Sequence, residues 1–231
     1  MGEMHILYDP VTIICFVVFA IVGYRLWQVL GTRSGPERTP QPMPAQFETK
    51  PMPGDLELKA AAPEPRKIWE GYAEEGSELA KGLIAIGEAD ADFDMSHFMQ
   101  GATSAHERIL ESFAAGDLPT LKLLLGDDTY AAFEKEITRR EKVGETAVFK
   151  LVSIKEAKPV AAVLQGDEAT ITMRFATELI SAVKDKSGKI LSGDDKRIAE
   201  VTELWTFERH VKSQEAGWKL AETRDAENAG A

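Results

Sequence analysis

The chain has 231 residues, of which 44% are hydrophobic and 28% are charged, a mixture typical of one globular domain with additional segments. Its net charge of −11 argues against nucleic-acid binding, because neutralising phosphates requires a surface rich in Lys and Arg. The same charge disfavours broad docking on anionic lipid. The single cysteine, Cys15, excludes an internal disulfide, and its position in an apolar run favours packing over reactivity.

The N-terminal 30 residues have the composition of a membrane anchor. Residues 11–24 include no charged side chain, and apolar character continues to Leu30, so about 20 residues can cross a bilayer of about 30 Å as one helix. A cleaved signal peptide is the alternative, but no Lys or Arg precedes the apolar run and no small-x-small cleavage site precedes Gly31. Arg25, Arg33 and Arg38 all lie late in the run or after it. The positive-inside rule therefore predicts one span over residues 1–30, with the N-terminus outside and the long C-terminal part in the cytoplasm or an equivalent matrix.

Residues 31–65 are predicted to form an extended linker. Eight of the 11 prolines in the chain fall within this segment, which is too many for a helix or a sheet. At about 3 Å per residue, such a linker lets the folded part lie on the order of 100 Å from the membrane.

Residues 66–92 have the spacing of an interrupted helix. Apolar residues recur every three to four positions, but four glycines weaken the pattern. Most of the polar positions are glutamates, which have the wrong sign for anionic headgroups. We therefore expect this segment to pack on the domain or on a protein partner.

Three helices are predicted next. Ser96 can cap the first, whose apolar stripe leads to Gly116, and Asp117 can cap the second. The third follows Gly126 and carries Tyr130, Phe133 and Ile137 on its inward face. Its C-terminal end is cationic and is interpreted first as a solvated helix end and second as a docking patch. The cations there are Arg139, Arg140 and Lys142.

Past Gly144 the hydrophobic periodicity approaches two, which is typical of strands. Turn signals at Lys158-Pro159, Gly166-Asp167, Ser187-Gly188 and Gly193-Asp194 separate the apolar runs. The predicted strands are 149–157, 160–164, 169–183 and 198–211, with a short strand within 217–223. Helices followed by strands predict an α+β fold with an antiparallel sheet.

The long strand 198–211 has a mixed face. Val201, Trp205 and Phe207 share one parity with Glu203 and Arg209. One interpretation is an aromatic core with charged ends, and the other is a face that lines a ligand site.

Sequence motifs for catalysis, metal binding and nucleotide binding are lacking. The four histidines (His5, His97, His106 and His210) are scattered, and neither HExxH nor CxxC nor GxSxG occurs. The nine-residue separation of His97 and His106 does not place two ligands together, so both are expected at the surface or the domain boundary. We predict a protein that is not an enzyme and has no cofactor.

Three stretches together resemble a known family. They are ILESFAAGDLPTLKLLLGDDTYAAFEKEITRRE (residues 109–141), ATITMRFATELISAV (residues 169–183) and VTELWTFERHV (residues 201–211). This combination is similar to the C-terminal domain of the mitochondrial inner membrane translocase subunit 44 and its bacterial relative TimA, over about residues 85–223. The anchor and the proline-rich linker are similar to those of the bacterial members. EAGWKLAET departs from the family pattern, in which Asp-Pro-Asn precedes the Trp.

The resemblance implies a fold like nuclear transport factor two, a cone in which a curved antiparallel sheet packs against helices around a large apolar pocket. The aromatic residues expected to line that pocket are Trp205, Phe207, Phe175, Trp218 and Phe113. The family's N-terminal helices are implicated in membrane association. Chaperone recruitment by the mitochondrial member resides partly in a region that this chain replaces with the anchor and linker, so it is not expected here.

The expected organisation is therefore an anchor (1–30), a linker (31–65), a partly helical segment (66–92), a translocase subunit 44-like domain (93–225) and a disordered tail (226–231). The expected function is that of a non-enzymatic adaptor or scaffold at the bacterial inner membrane, with its domain in the cytoplasm. It would bind a protein partner and, in the pocket, a lipid or apolar ligand. The alternative is a small-molecule-binding or catalytic member of the same cone-shaped fold.

Overall fold

The computed structural model describes residues 67–213 and 217–226, which form helices followed by a curved antiparallel sheet, as predicted. The helices are α1 (Glu78–Ala89), α2 (Met95–Ala115), α3 (Leu118–Leu124) and α4 (Asp127–Val143). The strands are β1 (Thr146–Gln165), β2 (Glu168–Lys184), β3 (Ile190–His210) and β4 (Lys219–Asp225). They pair in the order β1-β2-β3-β4, so each strand lies next to its neighbour in sequence.

The predicted membrane span and the linker lie outside the described residues. Across residues 67–213 and 217–226, none of the helices combines the length and the apolar character that crossing a bilayer requires.

Short polar side chains and glycines define the helix ends, mostly where the sequence places them. Asp94, rather than the predicted Ser96, caps α2, because its carboxylate accepts a hydrogen bond of 2.6 Å from the backbone N–H of His97. Gly116 ends α2 in the left-handed conformation with φ 74°, as predicted. Asp117 then caps α3 by accepting from the backbone N–H of Thr120 at 3.2 Å. The sharp turn between α2 and α3 folds the helices over one face of the sheet.

The helix α1 packs directly on the sheet, in agreement with the packing expected for the 66–92 segment. Its buried side chains, Ala80, Leu83 and Ile86, have no exposed surface. Gly82 lies against β1, where a β-carbon would overlap the carbonyl oxygen of Ala162. A side chain at this position would therefore push the helix away from the strand.

Two turns predicted in the strand region are instead irregularities within strands. Lys158 and Pro159 lie inside β1, which continues with three register shifts against β2, and Pro159 is tolerated because β1 is an edge strand. The strand β3 begins eight residues before the predicted Ile198. The predicted turn near Asp194 corresponds to an interruption of the β2–β3 ladder, where the Asp194 carboxylate accepts from the backbone N–H groups of Lys196 and Arg197.

The core lies between the helices and the sheet face that carries alternate residues of β2 and β3. Phe175, Trp205 and Phe207 are at most 2% exposed, so the core interpretation of the long strand is confirmed. The charged residues on the same face are also accounted for. Glu203 accepts a hydrogen bond from the Trp205 indole at 3.2 Å, and Arg209 forms an ion pair of 2.9 Å with the buried Asp90.

Candidate functional site

A pocket of about 240 Å³ opens at the end of the sheet that carries the β2–β3 hairpin. The C-terminal halves of α2 and α4, the start of β1 and the flanks of the hairpin form its wall. Most of that wall is apolar, which suits an apolar ligand group. The apolar lining residues are Leu110, Phe113, Ala114, Ala147, Val148, Phe149, Val183 and Leu191.

Exposed aliphatic side chains occur at the end of α4 and at the start of β3, the two elements next to the pocket opening. Leu191 of the lining is 52% exposed, Ile190 beside it is 39% exposed, and Val143 at the end of α4 is 48% exposed. The end of α4 is close to the hairpin, since the Lys186 side chain fills the space where Gly144 would carry a β-carbon. The mouth is therefore a surface on which an apolar partner group can bury area.

Arg139 binds two glutamates at the pocket wall. Its guanidinium donates to Glu136 at 2.7 and 2.8 Å and to Glu145 at 2.8 Å. These hydrogen bonds, first those to Glu136 and then those to Glu145, raise the pKa of Arg139. Both carboxylates thus form ion pairs with the same cation. Because Arg139 is already paired within the domain, it is not a free cation for docking.

Arg140 is buried, which corrects its prediction as a solvated or docking cation. It is 6% exposed, its guanidinium carbon lies 4.4 Å from the centre of the Phe113 ring, and its Nη2 donates to the Phe113 carbonyl at 2.6 Å. Its Nε is buried and has no hydrogen-bond partner. Burial lowers the pKa of this guanidinium. Of the three residues in the predicted patch, only Lys142 is an exposed side chain with no ion pair in the described part of the chain.

Four of the five aromatic residues predicted to line the pocket lie elsewhere. Phe175, Trp205 and Phe207 belong to the closed core, and Trp218 packs edge-on against Phe98 with ring centres 4.9 Å apart. The reason is that aromatic rings fill the middle and the far end of the concave face. Phe113 alone of the five lines the pocket, where it also packs against Phe133 at 4.7 Å.

His106 was expected at the surface or boundary, and the structure contradicts this. The residue has no exposed surface, and its ring lies 4.4 Å from that of Phe175 and 4.3 Å from that of Trp205. Neither ring nitrogen has a hydrogen-bond partner. Desolvation by burial lowers the pKa of His106 from 6.5 to about 4, so the imidazole is neutral at physiological pH. His97, in contrast, is exposed as predicted.

The described residues offer no obvious catalytic arrangement. Within residues 67–213 and 217–226, no group of three or more His, Cys, Asp or Glu side chains could hold a metal ion. The titratable pocket residues Glu136 and Glu145 are bound to Arg139, and the histidine with the lowered pKa lies in the core rather than in the pocket. The pocket wall therefore combines an apolar lining with one buried arginine.

These features define a small α+β domain, with helices over a curved antiparallel sheet and an apolar pocket at one end. The model of the Tim44-like domain family matches residues 79–225, which is more than half of the chain. The chain therefore belongs to the Tim44-like domain family. The matched region begins within α1, inside the segment 66–92 that we predicted separately from the domain.

Several solved structures are similar to the chain. The intermembrane space region of the chloroplast protein ARC6 is 11% identical, with a TM-score of 0.41 over 55% of this chain and 95% of that one. A nuclear transport factor 2 (NTF2-like) superfamily protein from Salmonella enterica serovar Typhimurium is 17% identical, with a TM-score of 0.36 over 56% and 89%. A conserved protein from Planctomyces limnophilus is 18% identical, with a TM-score of 0.32 over 56% and 95%. No curated protein matches the chain.

Proposed function

We propose that this chain is a non-enzymatic adaptor of the bacterial TimA type, anchored in the inner membrane with its Tim44-like domain in the cytoplasm. The domain binds a protein partner at the membrane through the aliphatic surface around the pocket mouth, and the pocket itself holds an apolar ligand group. Membership of the Tim44-like family supports a scaffold role near a membrane.

The observation that carries the proposal is the open apolar pocket with its exposed aliphatic rim. Val143, Ile190 and Leu191 together expose apolar side chains where α4 and the β2–β3 hairpin meet. Exposed aliphatic residues around a pocket do not stabilise the isolated domain. On a binding surface, the same residues contribute to the binding free energy, because the partner buries their apolar area. The ion pairs of Arg139 with Glu136 and Glu145 place fixed polar groups beside this surface, as at the rim of many interfaces.

The alternative is an enzyme of the same fold, and the pocket is compatible with it. Among residues 67–213 and 217–226, however, no convergent set of free titratable groups lines the pocket. A general base needs to reach its substrate, and His106 is sealed between two aromatic rings. Glu136 and Glu145 reach the pocket as partners of Arg139. The pocket therefore favours binding over catalysis.

The sequence preceding the domain supports tethering as the mechanism. A single apolar run followed by about 35 proline-rich residues holds the domain near the membrane and raises its effective concentration for membrane-bound partners. A weak contact at the pocket rim then becomes occupied without a larger interface.

Site-specific photocrosslinking in intact cells tests the proposal. A photoreactive amino acid replaces Leu191 at the rim in the full-length chain, and the same residue at Val163, which is 53% exposed near the opposite end of β1, is the matched control. We expect a discrete membrane-protein adduct from position 191 and none from position 163. Equal adduct patterns from both positions would contradict the assigned surface.

Two further versions of the chain test the tethering. The domain without residues 1–65 is expected to give much less adduct from position 191 at matched expression, and an unrelated membrane helix in place of residues 1–30 is expected to restore it. Undiminished adduct from the untethered domain would remove tethering from the mechanism. Rescue only by the native span would mean that the span itself contacts the partner.

A further inference from the structure

The pocket wall contains a buried arginine whose guanidinium forms no salt bridge with a described residue. Arg140 has no ion-pair partner among the described residues, and its Nε makes no hydrogen bond. Its contacts, the ring and the carbonyl of Phe113, leave most of its donor capacity unused. A guanidinium removed from water in this way is stabilised strongly by a ligand anion placed against it.

A second polar group without a partner lies in the same wall. The Oγ of Ser192, next to the lining residue Leu191, is buried and makes no hydrogen bond. A hydroxyl and a guanidinium are both donors, and both suit the oxygen atoms of a carboxylate. Two unused donors in an otherwise apolar wall are therefore the specific polar feature of this pocket.

The remaining charges of the wall explain why direct contact, and not net charge, selects the ligand. Glu136 and Glu145 share Arg139, so these two acids and the two arginines together have a formal charge of zero. A neutral wall does not attract anions from a distance. Selection depends on whether an oxygen anion reaches Arg140.

The volume limits the apolar part of the ligand to one short chain. An apolar cavity of about 150 Å³ holds benzene, so a pocket of about 240 Å³ accommodates on the order of ten carbon atoms. A two-chain phospholipid exceeds this volume unless most of it lies outside. One aliphatic chain fits along Leu110, Val148 and Val183.

We propose that the pocket binds an aliphatic monocarboxylic acid, with its single acyl chain against the apolar wall and its carboxylate against Arg140 and Ser192. The proposal rests on the function proposed above, because it names the ligand class of the same pocket.

Photolabelling of the full-length chain tests this proposal directly. The chain is reconstituted in phosphatidylcholine nanodiscs at pH 8, where a carboxyl group is ionised, and labelled with a ten-carbon diazirine carboxylic acid. Peptide mass spectrometry is expected to find the label within residues 110–114, 145–149 and 191–192. Excess decanoate should suppress this label at least about fivefold, whereas 1-decanol at the same concentration should suppress it less than about twofold, since only the acid gains a charge-assisted hydrogen bond. Equal suppression by both compounds, or label spread evenly over the chain, would overturn the proposal.

Three substitutions locate the anion contact. Arg140→Met should lower pocket labelling about tenfold or more, as expected for the loss of one charge-assisted pair. Lys142→Met removes the same charge from an exposed position of α4 and should leave labelling within about twofold. Ser192→Ala is a small change outside the core and should lower labelling a few-fold. This variant tests the same anion contact if Arg140→Met fails to fold. Equal effects of the Arg140 and Lys142 substitutions would show that only general charge matters.

Failure of this proposal is distinguishable from failure of the adaptor function. If decanoate and 1-decanol suppressed labelling equally while the crosslinks from position 191 remained, only the assignment of the ligand would be wrong. Selective labelling by the acid without rim crosslinks would leave a ligand-binding domain that has no partner at this surface.

Discussion

The buried imidazole of His106 predicts a specific loss of stability in acid. Its pKa is about 4 in the folded chain and 6.5 as its ordinary value, so the unfolded chain binds more protons at pH values below about 6.5. Stability is therefore complete above pH 6.5 and falls as the pH drops towards 4. With these two values the loss is about 2 kcal/mol at pH 5, and it approaches about 3.4 kcal/mol below pH 4, at about 1.36 kcal/mol per pKa unit.

Urea unfolding at pH 7.5 and pH 5.0 measures this effect in a fragment that begins at Arg66. Tryptophan fluorescence is a suitable signal because Trp205 is in ring contact with His106. Carboxylates also titrate between pH 7.5 and 5.0, and they do so in every variant. We therefore compare the decrease in the free energy of unfolding over this range in the native fragment with the decrease in His106→Leu. We expect the native fragment to lose about 2 kcal/mol more over this range.

The matched control is His97→Leu, which alters an exposed histidine on the same helix and should keep the native pH dependence.

At pH 7.5, His106→Leu has two opposing effects on the free energy of unfolding. It removes two unsatisfied nitrogens, a gain of about 1 to 3 kcal/mol, and it loses ring contacts worth about 0.5 to 1.5 kcal/mol. The pH dependence is therefore the decisive quantity. If the free energies of unfolding of the native and His106→Leu fragments fell in parallel between pH 7.5 and 5.0, the reasoning about a neutral buried imidazole would be refuted.

Three further predictions concern the core, the helix contact and the membrane topology. Trp205→Ala and Phe207→Ala should each lower the free energy of unfolding by about 3 to 5 kcal/mol, and an unchanged thermal melt for both would show that the rings are not in the core. Gly82→Ala should destabilise the domain by about 1 to 3 kcal/mol, because the added methyl group overlaps Ala162. Gly101→Ala, on the open face of α2, should stabilise the domain by up to about 1 kcal/mol. Melting temperatures that shift in the same direction in both variants would contradict the contact between α1 and β1. A reporter fused to the C-terminus of the full chain should be active only if it functions in the cytoplasm, and alkaline phosphatase activity from such a fusion would exclude the proposed orientation.

The succession of helices and strands and most of the helix ends were predictable, because they depend on local chemistry. Gly116 and Asp117 act through a left-handed backbone and a side-chain cap, both of which operate within a few residues. The α+β class followed from the change of periodicity after Gly144. The β1 bulges could not be predicted in this way, because Lys158-Pro159 has the composition of a turn and only the edge position of the strand makes it tolerable.

Two buried polar residues, Arg140 in the pocket wall and His106 in the core, are misplaced by the sequence-based predictions, because these rely on residue type more than on helical position. Arg140 lies three residues after Ile137 and seven after Phe133, on the inward stripe of α4. His106 lies four residues after Ala102 and three before Ile109, on the buried stripe of α2. Charged and titratable side chains are usually exposed, so residue type alone predicts Arg140 at a solvated helix end or docking patch and His106 at the surface or boundary. The helical spacing was the available signal, and it pointed inward in both cases.

The pocket is at the hairpin end of the domain because the aromatic side chains are concentrated elsewhere. Phe98, Phe207 and Trp218 fill the opposite end of the concave face with edge-on ring contacts, which bury large areas and leave little space. At the hairpin end, the pocket wall includes small side chains such as Ala114 and Ala147, and Arg140 occupies a position on the inward stripe of its helix. The aromatic core and the proposed binding pocket thus lie at different ends of the same sheet. Substitutions in the aromatic end should change unfolding without altering ligand selectivity, and substitutions such as Ser192→Ala should do the reverse.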